Sequence, residues 1–410
     1  GVFHGPLYYW LVLPFFALSG GNPTAVSIAW LLLYWLFLGS FYYVAKKTFK
    51  DKFALIATTF IASLTTFTPA GFTHTVIANF LILPFIYLIY LYLKENKLWQ
   101  LLAIVFTAGL LIQFQMAFGV PMLILFGTYI IYHIIKKKKY AHLLAGLVIL
   151  IPLSTFLMFD LRHDFIQVKS VFAYLSDEKA GGSINGYFND RVVSITDSFN
   201  VLNLPIEKIR NMISGLVIIS LLFLIKKNYQ SKEKNKTMIS LATMVIFGFW
   251  IVTAPFQGNV WPQYYRPLLP VIVFCLTFIL LNLVPKKIGV IILILFISNN
   301  LFFATKSGIA YMQSSPTADE IHWKFYRQMI DDIVVDNNKQ AFGFFAFSPD
   351  QYGYQAKYAL RYFPKQKNIE TASFTKLPVT YLIIAPNDHK NPWANEDYWQ
   401  SKQVKIDRLP

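Results

Sequence analysis

The stretch TAVSIAWLLLYWLFLGSFYYVAKKTFKDKFALIATTFIASLTTFTP, residues 24–69, sets two apolar runs on either side of a lysine cluster. A bilayer core of about 30 Å takes about 20 helical residues to cross, and the first run, 24–45, is that long. It closes on Lys46 and Lys47, and Lys50 and Lys52 follow before the second run opens at 53. An apolar run that ends in lysines reads as a membrane helix emerging on the cytoplasmic side. The same pattern recurs along the chain.

Ten apolar segments are long enough to span, allowing for tilt and uncertain ends: 24–45, 53–69, 76–93, 98–113, 118–135, 141–159, 207–225, 237–254, 267–284 and 288–304. Charged residues make up only 14% of the 410, against about 25% in ordinary globular domains. That composition excludes an ordinary soluble protein. The formal charge of +16 raises nucleic acid as a partner, but the lysines cluster at 46–52, 136–139 and 226–236, each between two apolar runs. No nucleic acid is expected. Cys275 stands alone inside an apolar run, which leaves no disulfide framework and no cysteine-based metal site.

Lysines fall in every second connection: 46–52, Lys94 and Lys97, 136–139, 226–236, and Lys286 with Lys287. The connections around 70–75 and 114–117 carry no Lys or Arg, and 160–206 has more acids than bases. This alternation predicts a multi-pass protein of the cytoplasmic (inner) membrane with its lysine loops in the cytoplasm. It puts 160–206, 255–266 and everything after 305 outside. Parity also settles the opening GVFHGPLYYWLVLPFFALSGGN, 1–22, whose apolar run of about 13 residues is too short to span. Since 24–45 must begin outside, 1–22 is expected to be an external interfacial or shallow re-entrant segment, with Tyr8, Tyr9 and Trp10 among the headgroups. It lacks the positive start and small-residue cleavage site of a signal peptide.

The C-terminal 305–410 is polar. Helices are expected over 315–334 and over 348–363, the latter capped by Ser348 and Pro349, with buried strands at 340–347 and 379–385. The expected fold class is therefore an all-α polytopic membrane domain, 1–304, with about ten spanning helices, followed by a small extracytoplasmic α/β domain, 305–410.

Apart from Glu207, Lys208 and Arg210 at the start of 207–225, the spanning segments hold no Asp, Glu, Lys or Arg, which argues against an ion-coupled pump. Asn79, Gln113 and Gln115 are among the intramembrane polar groups; they suit interhelical hydrogen bonds or a flippase path. Polar chemistry gathers instead at the predicted outer interface. FDLRHDF, 159–165, sets Asp160, Arg162, His163 and Asp164 at a helix exit, either as a charged stop or as a ligand site. NVWPQYYRPLLP, 259–270, sets Arg266 beside Tyr264 and Tyr265, as an interfacial anchor or as a contact for a headgroup phosphate. Arginine suits phosphate because its planar fork gives two parallel hydrogen bonds. His4 precedes Gly5-Pro6 at a helix start and His74 lies at another outer turn. There is no Gly-rich phosphate loop, HExxH or GxSxG, and Asp177, Glu178 and Asp190 lack ligand spacing.

In order, HGPLYYWL, VAKKTFKDKFALIATTF, FDLRHDF and QYYRPLLP resemble the polytopic GT-C glycosyltransferases, specifically bacterial members akin to protein mannosyltransferases and aminoarabinose transferases. The resemblance covers roughly 1–304. It implies a polyprenyl-phosphate-linked sugar donor, a glycan, lipid or protein acceptor on the outer face, and contact with membrane lipids. The His-Pro-Pro of relatives appears here as His4-Gly5-Pro6, a departure. Relatives carry the catalytic Asp or Glu in a first external loop ahead of that feature, whereas the first acid here is Asp51 on a lysine loop. The expectation is thus that Gly1 is a truncation point, that the catalytic base lies upstream, and that this fragment alone is inactive.

The implied chemistry needs a base for the acceptor hydroxyl and cations or a divalent metal to meet charge on the leaving phosphate. No nucleotide is expected. Arg162, His163 and Arg266, with His4, Tyr264 and Tyr265, are the candidates for substrate and phosphate binding. Asp160 and Asp164 are candidates for orienting them or supporting a metal. The alternatives are a lipid-linked-glycan flippase or transporter, and a non-catalytic cell-envelope assembly protein. In the C-terminal domain Trp393, Tyr398 and Trp399 either stack on sugars or pack.

Overall fold

The computed structural model describes residues 6–64, 75–170, 184–230, 235–256, 258, 260–313, 323–347, 354–373 and 375–384. The chain divides into two compact units, Gly1–Lys306 and Ser307–Pro410.

In the first unit α1 is Leu7–Leu18, α2 Thr24–Thr48 and α3 Asp51–Ala62. Helices α4 (Val76–Glu95), α5 (Leu98–Phe114) and α6 (Met116–Lys136) follow. A 3-10 stretch, Tyr140–Ile149, runs into α7, Leu150–Arg162. Then come α8 (Ile184–Ser198), α9 (Glu207–Gln230), α10 (Lys236–Thr253), the single turn α11 (Pro262–Tyr265), α12 (Leu268–Asn282) and α13 (Lys286–Gln313).

Among the described residues seven helices are long and apolar enough to cross a membrane: Thr24–Thr48, Val76–Glu95, Met116–Lys136, Tyr140–Arg162, Glu207–Asn228, Lys236–Thr253 and Lys286–Ala310. Together they make an all-α polytopic membrane protein. The apolar segments 98–113 and 267–284 form the shorter helices Leu98–Phe114 and Leu268–Asn282. The segment 53–69 is helical to Ala62, and 65–69 lies outside the described residues.

Local chemistry explains the breaks. Asn96 adopts a left-handed conformation, φ 55°, and its N–H donates to the Tyr92 carbonyl at 2.8 Å, ending α4 as an asparagine cap does. Gln115 alone separates α5 from α6: its N–H donates to Leu111 O at 2.8 Å, and its carbonyl accepts from Gly119 N at 2.8 Å. A side chain at Gly119 would run into the backbone of Leu111 and Ile112, so glycine is what lets the two helices close at this corner.

Helix α12 is apolar on every side, and all residues from Leu268 to Leu280 are buried. A helix hydrophobic all round belongs in the middle of a bundle, and α12 packs against α3, α4, α9 and α10. Phe274 meets Phe49 and Phe53 there, with ring centroids 5.5 Å away in each case. Helix α1 packs on α2 and α5, with Tyr8 5.7 Å from Trp30, and leaves Tyr9, Trp10 and Leu13 exposed. Its return into α2 uses Gly20 and Gly21, both at positive φ, 67° and 90°.

In the second unit α14 (Trp323–Asp336), β1 (Phe342–Phe347), α15 (Tyr354–Gln366), β2 (Thr371–Ser373) and β3 (Thr380–Ile384) build a small α/β core. The strands are parallel in the order β2-β1-β3. Central β1, FGFFAF, is apolar on both faces, as a covered parallel strand should be. Strand β2 has only three residues, too few for a pattern to mark it in the sequence. The segments 315–322 and 348–353, and Trp393, Tyr398 and Trp399, lie outside the described residues.

Candidate functional site

In the cluster 159–165, Asp160 is 5% exposed. Its carboxylate accepts the backbone N–H of Gln167 at 2.8 Å and of Val168 at 3.2 Å, capping the helical turn that follows. Asp164 and Phe165 both take left-handed conformations, φ 52° and 57°, and form the turn that Asp160 closes. His163 is stacked on Phe159, centroids 4.1 Å apart, and its Nδ1 lies 2.8 Å from the Phe159 carbonyl oxygen. A carbonyl only accepts, so that bond requires the proton on Nδ1. Arg162 is exposed at the end of α7.

The second group is more tightly built. Gln115 Nε2 donates to the carbonyl of Gln263 at 2.8 Å, tying the α5–α6 corner to the single-turn α11. From the other side Tyr265, 4% exposed, donates its hydroxyl to Asp197 Oδ2 at 2.6 Å. Burial, and then the bond to Asp197 and its charge, push the Tyr265 phenol far above its ordinary range. The Trp250 ring covers Tyr265 at 5.7 Å. Tyr264 is half-buried against the core. Arg266 is exposed at the junction of α11 and α12, its N–H donating to Pro262 O at 3.0 Å.

The structure thus brings Tyr264, Tyr265 and Arg266 together on one pinned segment, and Asp160, Arg162, His163 and Asp164 on another. No hydrogen bond or ion pair among the described residues joins the two groups; the ion pairs are Lys46–Asp51, Lys97–Glu95 and Lys367–Asp331. His4 and His74 lie outside the described residues. No three His, Cys, Asp or Glu side chains gather into a metal-binding group among the described residues.

Sequence reasoning missed Asp197 and Arg191. Both sit on α8, inside 160–206, which the sequence marks only as a long polar connection. Arg191 Nη2 donates to Thr253 O at 2.9 Å and also to Phe256 O. Tyr187, Arg191, Ser194 and Asp197 recur every three or four positions, and that polar helical period was the available signal. Asn300 was missed too: buried in α13, it accepts from Asn203 N at 2.9 Å and donates to Val201 O at 3.1 Å, holding the chain that follows α8. Of the intramembrane polar groups, Gln113 donates to Thr155 Oγ1 at 2.6 Å and to Pro152 O, as interhelical bonding predicts. Both amide atoms of Asn79 are buried with no hydrogen-bond partner.

Residues 3–159 match the family model described as dolichyl-phosphate-mannose-protein mannosyltransferase. No curated protein and no solved structure matches the chain.

Proposed function

We propose, from the membrane glycosyltransferase of GT-C type that the match over 3–159 supports, that this protein moves a sugar from a polyprenyl-phosphate donor to an acceptor outside the cytoplasm. The acceptor is a glycan, lipid or protein hydroxyl. The family match is the single observation that carries this reading. In this reading 1–304 is the transferase domain of an inner-membrane protein, the lysine loops are cytoplasmic, and 305–410 is an extracytoplasmic domain.

The acceptor oxygen attacks the anomeric carbon and forms the new C–O bond. The bond from that carbon to the phosphate oxygen breaks, its electron pair stays on the phosphate, and a base takes the acceptor proton. Charge grows on the leaving phosphate, where a preorganised guanidinium acts best. Arg266 fits that role because Gln115 and Asp197 hold the turn before it from two sides. Arg162 and His163, at the end of α7, are the second cationic group; Tyr264 lines the donor site beside Arg266, and Tyr265, buried and bonded to Asp197, supports that segment from beneath. Asp160 and Asp164 orient the α7 cations or support a metal; the carboxylate of Asp160 already holds two backbone N–H groups.

The test is transfer of a radiolabelled sugar from polyprenyl phosphate in membrane vesicles carrying the full-length protein. Transfer that depends on the protein and on the lipid-linked donor supports the reading. Movement of the intact lipid-linked glycan across the bilayer with no transfer favours a flippase and overturns it.

A further inference from the structure

We propose that α8 is a clamp that positions the segment 253–266, with Arg191 and Asp197 as its positioning residues. Its consequence for catalysis rests on the reading of Arg266 above. Tyr187, Arg191, Ser194 and Asp197, spaced four, three and three, share one face of the helix. Every one of them bonds into the same short segment. Tyr187 donates its hydroxyl to Ala254 O, Arg191 donates to Thr253 O and Phe256 O, Ser194 Oγ donates to Val260 O at 3.3 Å, and Asp197 accepts from Tyr265.

The placement of the cation follows from the helix it meets. The last carbonyls of any helix lack intrahelical donors and form the negative end of its dipole. Thr253 is the last residue of α10 and Ala254 its cap. Arg191 and Tyr187 therefore cap α10 from a different helix.

Arg191 is 8% exposed and makes no ion pair among the described residues. A charge that deeply placed is costly unless compensated. The compensation here comes from the helix end, from two carbonyls, and from the Tyr187 and Phe256 rings, 5.3 and 5.9 Å from the guanidinium carbon. Nη1 remains buried without a partner among the described residues, and Nη2 alone donates to both carbonyls. A lysine can bring one nitrogen to the same carbonyls but lacks the flat guanidinium that faces the Tyr187 and Phe256 rings.

The segment between the two attachment points carries α11 and delivers Arg266. Arg191 at its start, Asp197 at its end and Gln115 behind it hold the described residues of the segment at three points. Helix α8 makes this grip through backbone carbonyls and through the buried Tyr265 hydroxyl.

The experiment compares Arg191→Met, Arg191→Lys and Asp197→Asn with the wild type in the full-length protein. Backbone hydrogen exchange over 253–266 and over 268–282 reads the clamp, and transfer kinetics read its consequence. For Arg191→Met the expected result is at least tenfold faster exchange in 253–266, unchanged exchange in 268–282, and at least a tenfold loss in kcat with a smaller change in donor KM. Arg191→Lys should recover part of both, and Asp197→Asn should loosen the 260–266 end alone.

Wild-type exchange in 253–266 of Arg191→Met overturns the clamp whatever the transfer rate. An equal rise across both segments also overturns it, since that is global destabilisation. If Arg191→Met does not fold, the milder Asp197→Asn decides by the same local comparison. Local loosening together with wild-type transfer in Arg266→Ala retains the clamp and removes the functional reading of Arg266, so the two failures are told apart.

Discussion

Tyr265 donates its hydroxyl to Asp197 Oδ2 at 2.6 Å, joining positions 68 residues apart. The phenol is buried beneath Trp250, and the carboxylate belongs to a helix in the middle of a long polar connection. The bond makes a rigid platform of a segment that is otherwise a single helical turn between two membrane helices.

Tyr265→Phe removes the donor and leaves a carboxylate without it. Hydrogen bonds to charged groups are worth about 1.5–3 kcal/mol, so a fall in thermal midpoint is expected for the protein in detergent. An unchanged midpoint would show that the bond contributes nothing.

The same pair sets an alkaline limit. The folded phenol titrates above its ordinary value because of burial and Asp197. Its contribution is therefore complete below the unfolded value of about 10 and is lost as pH rises from there towards the folded value. Wild type should lose stability above that pH more steeply than Tyr265→Phe, as denaturation midpoints across the alkaline range will report.

Arg266→Ala and Arg162→Ala should each lower sugar transfer at least tenfold, or about 1.4 kcal/mol in the barrier. Steady-state transfer in vesicles measures this. A wild-type rate in either variant takes that arginine out of the mechanism.

Two glycines of α6 should respond oppositely. At Gly119 a methyl group meets the backbone of α5, whereas Gly127 has nothing within 4 Å. Gly119→Ala should cost about 1–3 kcal/mol as an overpacked contact. Gly127→Ala should be neutral or stabilise by up to about 1 kcal/mol through helix propensity. Unfolding midpoints of the two variants make the comparison.

Gly343 in β1 tests the small unit. A Cβ there collides with the Thr375 carbonyl, where the chain between β2 and β3 crosses over the sheet. Gly343→Ala should expose 323–384 to limited proteolysis while leaving the first unit resistant; resistance equal to that of wild type would refute the crossing.

Sidedness is testable by cysteine labelling. Cys275 is buried, so an impermeant maleimide should pass it by. Lys357→Cys should label in intact cells and Lys138→Cys only after permeabilisation. The reverse pattern would invert the topology.

Helix polarity and spacing were legible because they are local. Mean hydropathy over about 20 residues decides whether a segment partitions into lipid, and that sum needs no knowledge of neighbours. Lysine placement is equally local, and so is the exit cluster 159–165, whose Asp160 caps a turn within eight positions. Helix α8 was hard to read because the connection carries no strong apolar run and the usual pattern is inverted: its polar stripe bonds inward while Phe188, Val192 and Val193 are exposed.

By itself, then, the sequence determined an all-α polytopic membrane protein, its apolar segments, the order of its motifs and two groups of candidate cations. Only the tertiary structure decided that Asp197 meets Tyr265, that Arg191 caps α10 and that Gln115 holds α11. Those partners are separated by 68, 62 and 148 positions. A polar side chain's partner is set by which helix ends the packing brings together, and that packing is a property of the whole bundle.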